Sequence, residues 1–334
     1  MADTRDRARR LEELSIELTS KCNLTCGMCS VWKGMRDGIP RARVFDLLAE
    51  ARRLGATRFT PSGAEVFMRK DTVSILEEAA RLGFRSISVV TNGMLIKRHI
   101  KRLRAVSGLS LHVSIDGAEG VHDALRGPGS YRSALEGLRA SVDAGIPTSV
   151  KAVVMRPTLA SLTHLVDLAV DHGLPRISVQ PFQPEIAGPD EDHGPWQFTP
   201  DARGEVTDAL SALLDYARLA GIEVFTEALF PHIPPYLFDN LRPIPEGGCF
   251  LPSRFVLIDG RGETYPCFFM RGQSMGNVMR GVRLSDIWHG PVQRRMQTIG
   301  IKRTCPGCLA GCSDVESFDE AEIAATSSRQ AAHA

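Results

Sequence analysis

The chain has 334 residues, and its 40 Lys+Arg offset 39 Asp+Glu to a formal net charge of +1. That balance offers no general attraction to nucleic acid or to an acidic membrane surface, and no apolar run reaches the roughly eighteen residues a membrane-crossing helix needs. The opening MADTRDRARRLEEL mixes both charges and lacks the apolar stretch of an export signal, so a cytoplasmic protein is expected, whose eight cysteines stay reduced and serve metal or catalysis.

In chain order, short β-branched runs at 15–18, 57–60, 86–90, 110–115, 148–154 and 176–179 alternate with apolar-periodic stretches at 44–54, 73–82, 100–105, 131–144 and 161–172. Gly55, Gly83, Gly145 and Gly173 stand where helices end before the next strand, the left-handed cap position. Such β-α repeats with right-handed crossovers build a parallel sheet. Periodicity alone leaves open whether it curls into a full or partial barrel or stays open and doubly wound. The segment 181–200 is rich in Pro, Gly and acid and reads as a loop or lid, with Asp190, Glu191 and Asp192 as charges facing solvent or an amine. A helix over 201–219 and an irregular Pro-rich stretch at 231–235 follow. A hairpin then spans 254–258, a turn at 259–262, and 263–268. Lys151, inward on its strand by alternation, reads either as facing the interior of the sheet's curl or as a snorkelling structural lysine. Trp32 and Trp196 show no pattern, and Trp288 reads as core.

Cys22, Cys26 and Cys29 stand in KCNLTCGMCSVW, directly after the first run. Spaced by four and three residues on one loop, they can turn toward one centre. Three thiolates leave one iron of a [4Fe–4S] cluster without a protein ligand, the opening a chelating cofactor requires. A closed zinc site is the plainer alternative, but it takes four ligands, commonly in paired Cys units, and the closest histidine in sequence is His99.

This CxxxCxxC after the first strand of a β-α repeat resembles the defining motif of the radical S-adenosylmethionine (radical SAM) superfamily. Ser62-Gly63-Ala64-Glu65 is similar to that family's G-G-E stretch, which meets the methionine amino group; here the second Gly is Ala64. Thr91-Asn92-Gly93 ends the third strand as in many members. Ser114-Ile115-Asp116-Gly117, with His122-Asp123 and Arg126-Gly127, resembles the fourth-strand segment that contacts ribose and carboxylate. Met28 stands where the family places an apolar residue against adenine. The resemblance covers roughly 12 to 182. It implies an α/β (β/α)6 partial TIM barrel, a core assigned to 12–225, and Met28, Gly63, Ala64, Glu65, Asn92, Ser114, Asp116 and Arg126 as cofactor-binding residues. It further implies SAM on the Cys22/Cys26/Cys29 cluster, a 5′-deoxyadenosyl radical that removes hydrogen from a substrate carbon, and an electron donor such as flavodoxin or ferredoxin.

Five cysteines remain: Cys249, Cys267, Cys305, Cys308 and Cys312. The hairpin brings Cys249 and Cys267 near each other, and CPGC supplies Cys305 and Cys308. The pattern resembles the superfamily's auxiliary-cluster domains, SPASM and its shorter twitch form, and implies a small β-hairpin-plus-helix domain over 245–318 and a tail over 319–334. Five cysteines imply a single second [4Fe–4S] cluster on Cys249, Cys267, Cys305 and Cys308. A zinc ion on the same sulfurs is the structural alternative. Cys312 is then spare: a thiol able to return hydrogen to a carbon radical, a packed side chain, or a ligand in place of Cys249.

Twitch-bearing members of that superfamily, aminocyclitol dehydrogenases among them, act on sugars or aminoglycosides of secondary metabolism. Only 21 residues precede Cys22, fewer than the leader-binding module that many peptide-modifying members carry. The expected substrate is therefore a carbohydrate-like small molecule, epimerised with Cys312 as hydrogen donor. A dehydrogenase oxidising a secondary alcohol and a peptide maturase are the alternatives, and an iron–sulfur or zinc scaffold is the non-enzyme reading.

Overall fold

The computed structural model describes residues 10–34, 36–184, 188, 192–243, 248–302, 304 and 307–309. Cys305, Cys312, Asp190, Glu191 and the tail over 319–334 lie outside the described residues. Ten strands form one sheet in the order β10-β9-β8-β1-β2-β3-β4-β5-β6-β7. Here β1 is Glu13–Thr19, β2 Arg58–Gly63, β3 Ser86–Thr91, β4 Leu109–Ser114, β5 Thr148–Val154, β6 Arg176–Pro181 and β7 Glu223–Val224. These seven run parallel, joined by helices such as Arg41–Leu54, Thr72–Arg81, Ser130–Asp143 and His164–Asp171.

The strand order does not close β1 onto β6 or β7, so the barrel is partial. Its curl follows from the cleft at the strands' C-terminal ends. Six flat strands would spread over about 24 Å at about 4.8 Å each. Yet residues at or just beyond the ends of all six, from Cys22 through Gly63, Val90, Ser114 and Val153 to Gln180, line one cleft of about 290 Å³.

Alternation along the strands sets the character of that interior. Leu14, Ile16, Phe59, Val89, Val113 and Val179 are fully buried on one face. The other face carries Val90, Ser114, Val153 and Gln180 into the cleft, and by the period of two the same face holds Thr60, Ser62, Ser88, His112, Lys151 and Ser178. A closed TIM barrel fills its centre with branched aliphatics; here the inner face is mostly polar. His112 Nδ1 lies 2.7 Å from Ser149 Oγ. Burial first, then the positive charges of Lys151 and Arg176, push its pKa down to about 4, so the ring is neutral near pH 7.

The C-terminal part extends the same sheet. Strand β8 (Phe255–Ile258) pairs parallel with β1, and β9 (Glu263–Tyr265) and β10 (Gly276–Asn277) add antiparallel strands beyond it. Asp259 Oδ1 closes the hairpin turn by accepting from the Arg261 and Glu263 backbone N–H groups. Strand β9 stops earlier than the sequence reading, before Pro266, which has no N–H to donate to a ladder. The stretch expected to be irregular at 231–235 is instead a 3-10 turn (Glu227–His232) running into the helix Ile233–Asp239. Pro234 and Pro235 fall in its first turn, where no N–H partner is required. The helix expected over 201–219 spans Arg203–Leu219. Among the described residues, no helix is long and apolar enough to cross a membrane.

Candidate functional site

The loop after β1 is pinned before it presents its thiols. Arg69, 6% exposed, donates from Nη1 to the Leu18 and Ile39 carbonyls at 3.0 and 2.8 Å, fixing the strand end and the returning chain. Cys22, Cys26 and Cys29 then all line the cleft. The Cys26 carbonyl accepts from Cys29 N at 3.2 Å and from Trp32 Nε1 at 3.4 Å. Burial raises the Cys22 thiol above its ordinary value and pushes Cys26 up to about 11; Arg126 opposes the rise at Cys26, while Cys29 and Cys22 add to it. The sulfurs therefore feel one another's charge. No group of three His, Cys, Asp or Glu closes around a single metal ion among the described residues. Three thiols converging on one cleft are the donor set of a cubane with one iron left open. The residues present fit a three-thiolate cluster.

Gly63 lies beside this loop with φ 121°, and a Cβ there would sit 2.2 Å from the Thr19 carbonyl oxygen. Ala64 N and Glu65 N donate to the Thr19 and Lys21 carbonyls at 2.9 and 3.1 Å, so the 63–65 backbone rests directly on the cysteine loop. Gly63, Ala64 and Glu65 all line the cleft. Glu65 is 1% exposed, and both its carboxylate oxygens are engaged: they accept from Phe67 N, Thr91 Oγ1 and Asn92 N at 2.7 to 3.1 Å. Burial raises its pKa, and these hydrogen bonds oppose the rise. Glu65 is thus first a strut between the ends of β2 and β3. Asn92 donates from Nδ2 to Asn23 Oδ1 at 2.8 Å, tying the third strand's end to the cysteine loop.

Ser114 and Arg126 line the cleft, but Asp116 does not. Its carboxylate is fully buried and accepts from Arg126 Nε at 2.6 Å and Val153 N at 3.2 Å. Asp116, expected to contact the cofactor, thus lies behind Arg126 and balances its charge. His122 Nδ1 accepts from Asp116 N at 3.3 Å. Burial and Arg126 push its pKa down to about 4. Asp123 accepts from Gly129 N, Ser130 Oγ and Tyr131 N, so this pair shapes the loop. Asp116→Ala strands the buried Arg126 charge and should destabilise the protein by about 3 kcal/mol. On the reading that Arg126 meets a carboxylate of SAM, binding of SAM should weaken roughly tenfold or more in this variant. Thermal melts and equilibrium dialysis with labelled SAM measure both, and unchanged values would return Asp116 to an ordinary buried acid.

A separate apolar cluster forms around Met28. Leu125, Met155 and Phe182 make its core, and Met28, Val121, Val153 and Trp196 pack on it. Trp196 was without a role in the sequence; here it crosses the cysteine loop so closely that a Cβ on Gly27 would lie 2.8 Å from its ring. Arg156 holds that segment, giving its backbone N–H to the Trp196 carbonyl at 3.0 Å and Nη2 to the Pro195 carbonyl at 3.1 Å. The sequence signal was Gly27 itself, a glycine between two ligands that marks close approach without naming what approaches.

In the C-terminal part, Cys249 and Cys267 pack on one apolar cluster of Leu251, Phe255 and Leu257. Cys249 N donates to the Gly300 carbonyl at 3.0 Å, and a Cβ on Gly300 would lie 2.3 Å from the Cys249 oxygen. Cys308 is half-buried and follows Gly307 at φ 74°.

A family model of the radical SAM superfamily matches residues 16–169, and a model of an iron–sulfur cluster-binding domain, SPASM, matches residues 249–312. Mycofactocin maturase MftC of Mycobacterium ulcerans is 27% identical over 320 residues, covering 91% of this chain and 84% of that protein. PqqA peptide cyclase of Xanthomonas campestris pv. campestris is 27% identical over 315 residues, covering 88% and 78%. Streptococcus suis SuiB, solved bound to S-adenosylmethionine, shares the fold with a TM-score of 0.67 at 18% identity, covering 87% of this chain and 68% of that one. The cofactors of this protein are accordingly SAM and [4Fe–4S] clusters. With a thiol triad on the first β-α loop of an open barrel and an iron–sulfur domain built onto the same sheet, the chain belongs to the radical SAM superfamily and carries a C-terminal SPASM domain.

Proposed function

We propose that this radical SAM enzyme is a peptide maturase, removing a hydrogen atom from a carbon of a peptide substrate. The observation that carries the reading is likeness to a maturase and a peptide cyclase across both domains at once, over 91% and 88% of the chain. It takes precedence over the carbohydrate-like substrate, and over epimerisation by Cys312, expected from sequence.

Cys22, Cys26 and Cys29 would hold the cluster, which together with SAM would supply one-electron reductive chemistry and hydrogen abstraction, fed by a flavodoxin- or ferredoxin-type donor. The chain's residues orient and shelter that chemistry. The backbone of Gly63 and Ala64 offers polar groups to the amino acid end, and Arg126, aimed by Asp116, takes a carboxylate. Ser114, on the cleft wall, would meet the ribose. Met28, backed by Phe182 and Trp196, forms the apolar adenine wall and keeps water out. The polar inner face of the strands supplies hydrogen-bond partners to the amides of a bound peptide.

Isotope transfer tests the substrate class. Peptide and carbohydrate fractions from host cells grown on deuterated nutrients are each incubated with reconstituted enzyme, SAM and reductant. Deuterium in 5′-deoxyadenosine from the peptide fraction alone is the expected result. Label arriving only from the carbohydrate fraction would reinstate the sugar substrate.

A further inference from the structure

Gln183 belongs to two parts of the molecule at once. It follows β6, is 6% exposed, and lines the cleft that holds the cysteine triad. Its side-chain Nε2 donates a buried 2.7 Å hydrogen bond to the Leu309 carbonyl, 126 residues later in the chain. Leu309 is 1% exposed and directly follows Cys308. On the other side of Cys308, Gly307 adopts φ 74°, and a Cβ there would lie 2.6 Å from the Arg242 carbonyl oxygen. The Gly307–Leu309 segment is therefore held between the Arg242 backbone and the Gln183 amide.

We propose that Gln183 is a positioning residue for the second cluster, fixing the Cys308–Leu309 segment against the wall of the SAM cleft. This rests on the reading of Cys308 as an iron ligand. The physical argument is one of satisfaction. A buried carbonyl deprived of its donor must find another or shift, and Leu309 cannot shift without moving Cys308. Groups that orient a metal's ligands set the metal's affinity and potential, so the amide acts on the cluster through the thiolate next to it. The same amide also forms part of the cleft wall, so the Cys308–Leu309 segment is tied directly to that wall.

The test uses the full chain, anaerobically reconstituted, in a Cys22→Ala/Cys26→Ala/Cys29→Ala background whose only iron is C-terminal. Gln183→Met keeps length and volume but removes the donor; Gln183→Glu keeps shape and offers an acceptor to an acceptor. Both should shift the cluster's paramagnetic resonance spectrum and midpoint potential. Iron release to bathophenanthroline should accelerate roughly tenfold in Gln183→Glu and less in Gln183→Met. A merely space-filling role predicts that Gln183→Met matches the background, and that match in spectrum, potential and release rate would overturn the proposal. Should Gln183→Glu fail to fold, the near-isosteric Gln183→Met carries the test alone. A background that binds no iron overturns the ligand reading instead, and this inference falls with it.

Discussion

Cys26→Ala is expected to abolish 5′-deoxyadenosine formation, which the anaerobically reconstituted protein should otherwise show with SAM and a strong reductant. Cys26 is the most buried of the three thiols, 8% exposed, and sits between the other two in sequence. Removing it leaves two sulfurs, too few to hold a cluster that already reserves one iron for the cofactor. The backbone argues that the loss will read chemistry rather than unfolding. The loop's hydrogen bonds at this position, from Cys29 N and Trp32 Nε1, go to the Cys26 carbonyl and survive the substitution. Circular dichroism should therefore match the wild type, and the C-terminal iron should stay in place. Undiminished 5′-deoxyadenosine from this variant would remove the SAM cluster from this loop.

What the sequence made legible follows the range of the forces involved. Strand and helix alternation is local, and the β-branched runs near 86–90, 110–115 and 148–154 correspond to β3, β4 and β5. The cysteine triad is local too, which is why its chemistry could be read from spacing. The polar inner face was also present as a pattern, in Ser86 and Ser88, or Ser110, His112 and Ser114, alternating with Ile87, Val89, Leu111 and Val113. Its meaning needed the curl of the sheet. Asp116 shows the opposite limit. Its place in the motif is readable, but its burial behind Arg126 depends on β5 arriving to donate Val153 N. Trp196 over Gly27 and Gln183 on Leu309 join segments far apart in sequence, and no periodicity or spacing encodes such pairs. The attachment of β8 to β1 is of the same kind: a parallel pairing across most of the chain makes one sheet of what reads as two separate units.

Iron content carries the second large effect. Full reconstitution should give about eight irons per chain, and the Cys22→Ala/Cys26→Ala/Cys29→Ala variant should keep about half. Cys249 and Cys267 share one apolar setting, and the two are the hairpin pair expected to serve one cluster. The SPASM match runs from Cys249 to Cys312 and so contains five cysteines for the four positions of one cubane. Single substitutions sort them. Cys249→Ala, Cys267→Ala, Cys305→Ala and Cys308→Ala should each lose about half the iron, because three protein thiolates and no chelating cofactor leave a cluster open to solvent and oxidation. Cys312→Ala should retain all of it if Cys312 is the spare thiol. Iron lost from Cys312→Ala but kept in Cys249→Ala would exchange those two in the ligand set. Zinc in place of the second four irons would make the C-terminal domain structural, since zinc has no redox chemistry to offer a substrate radical.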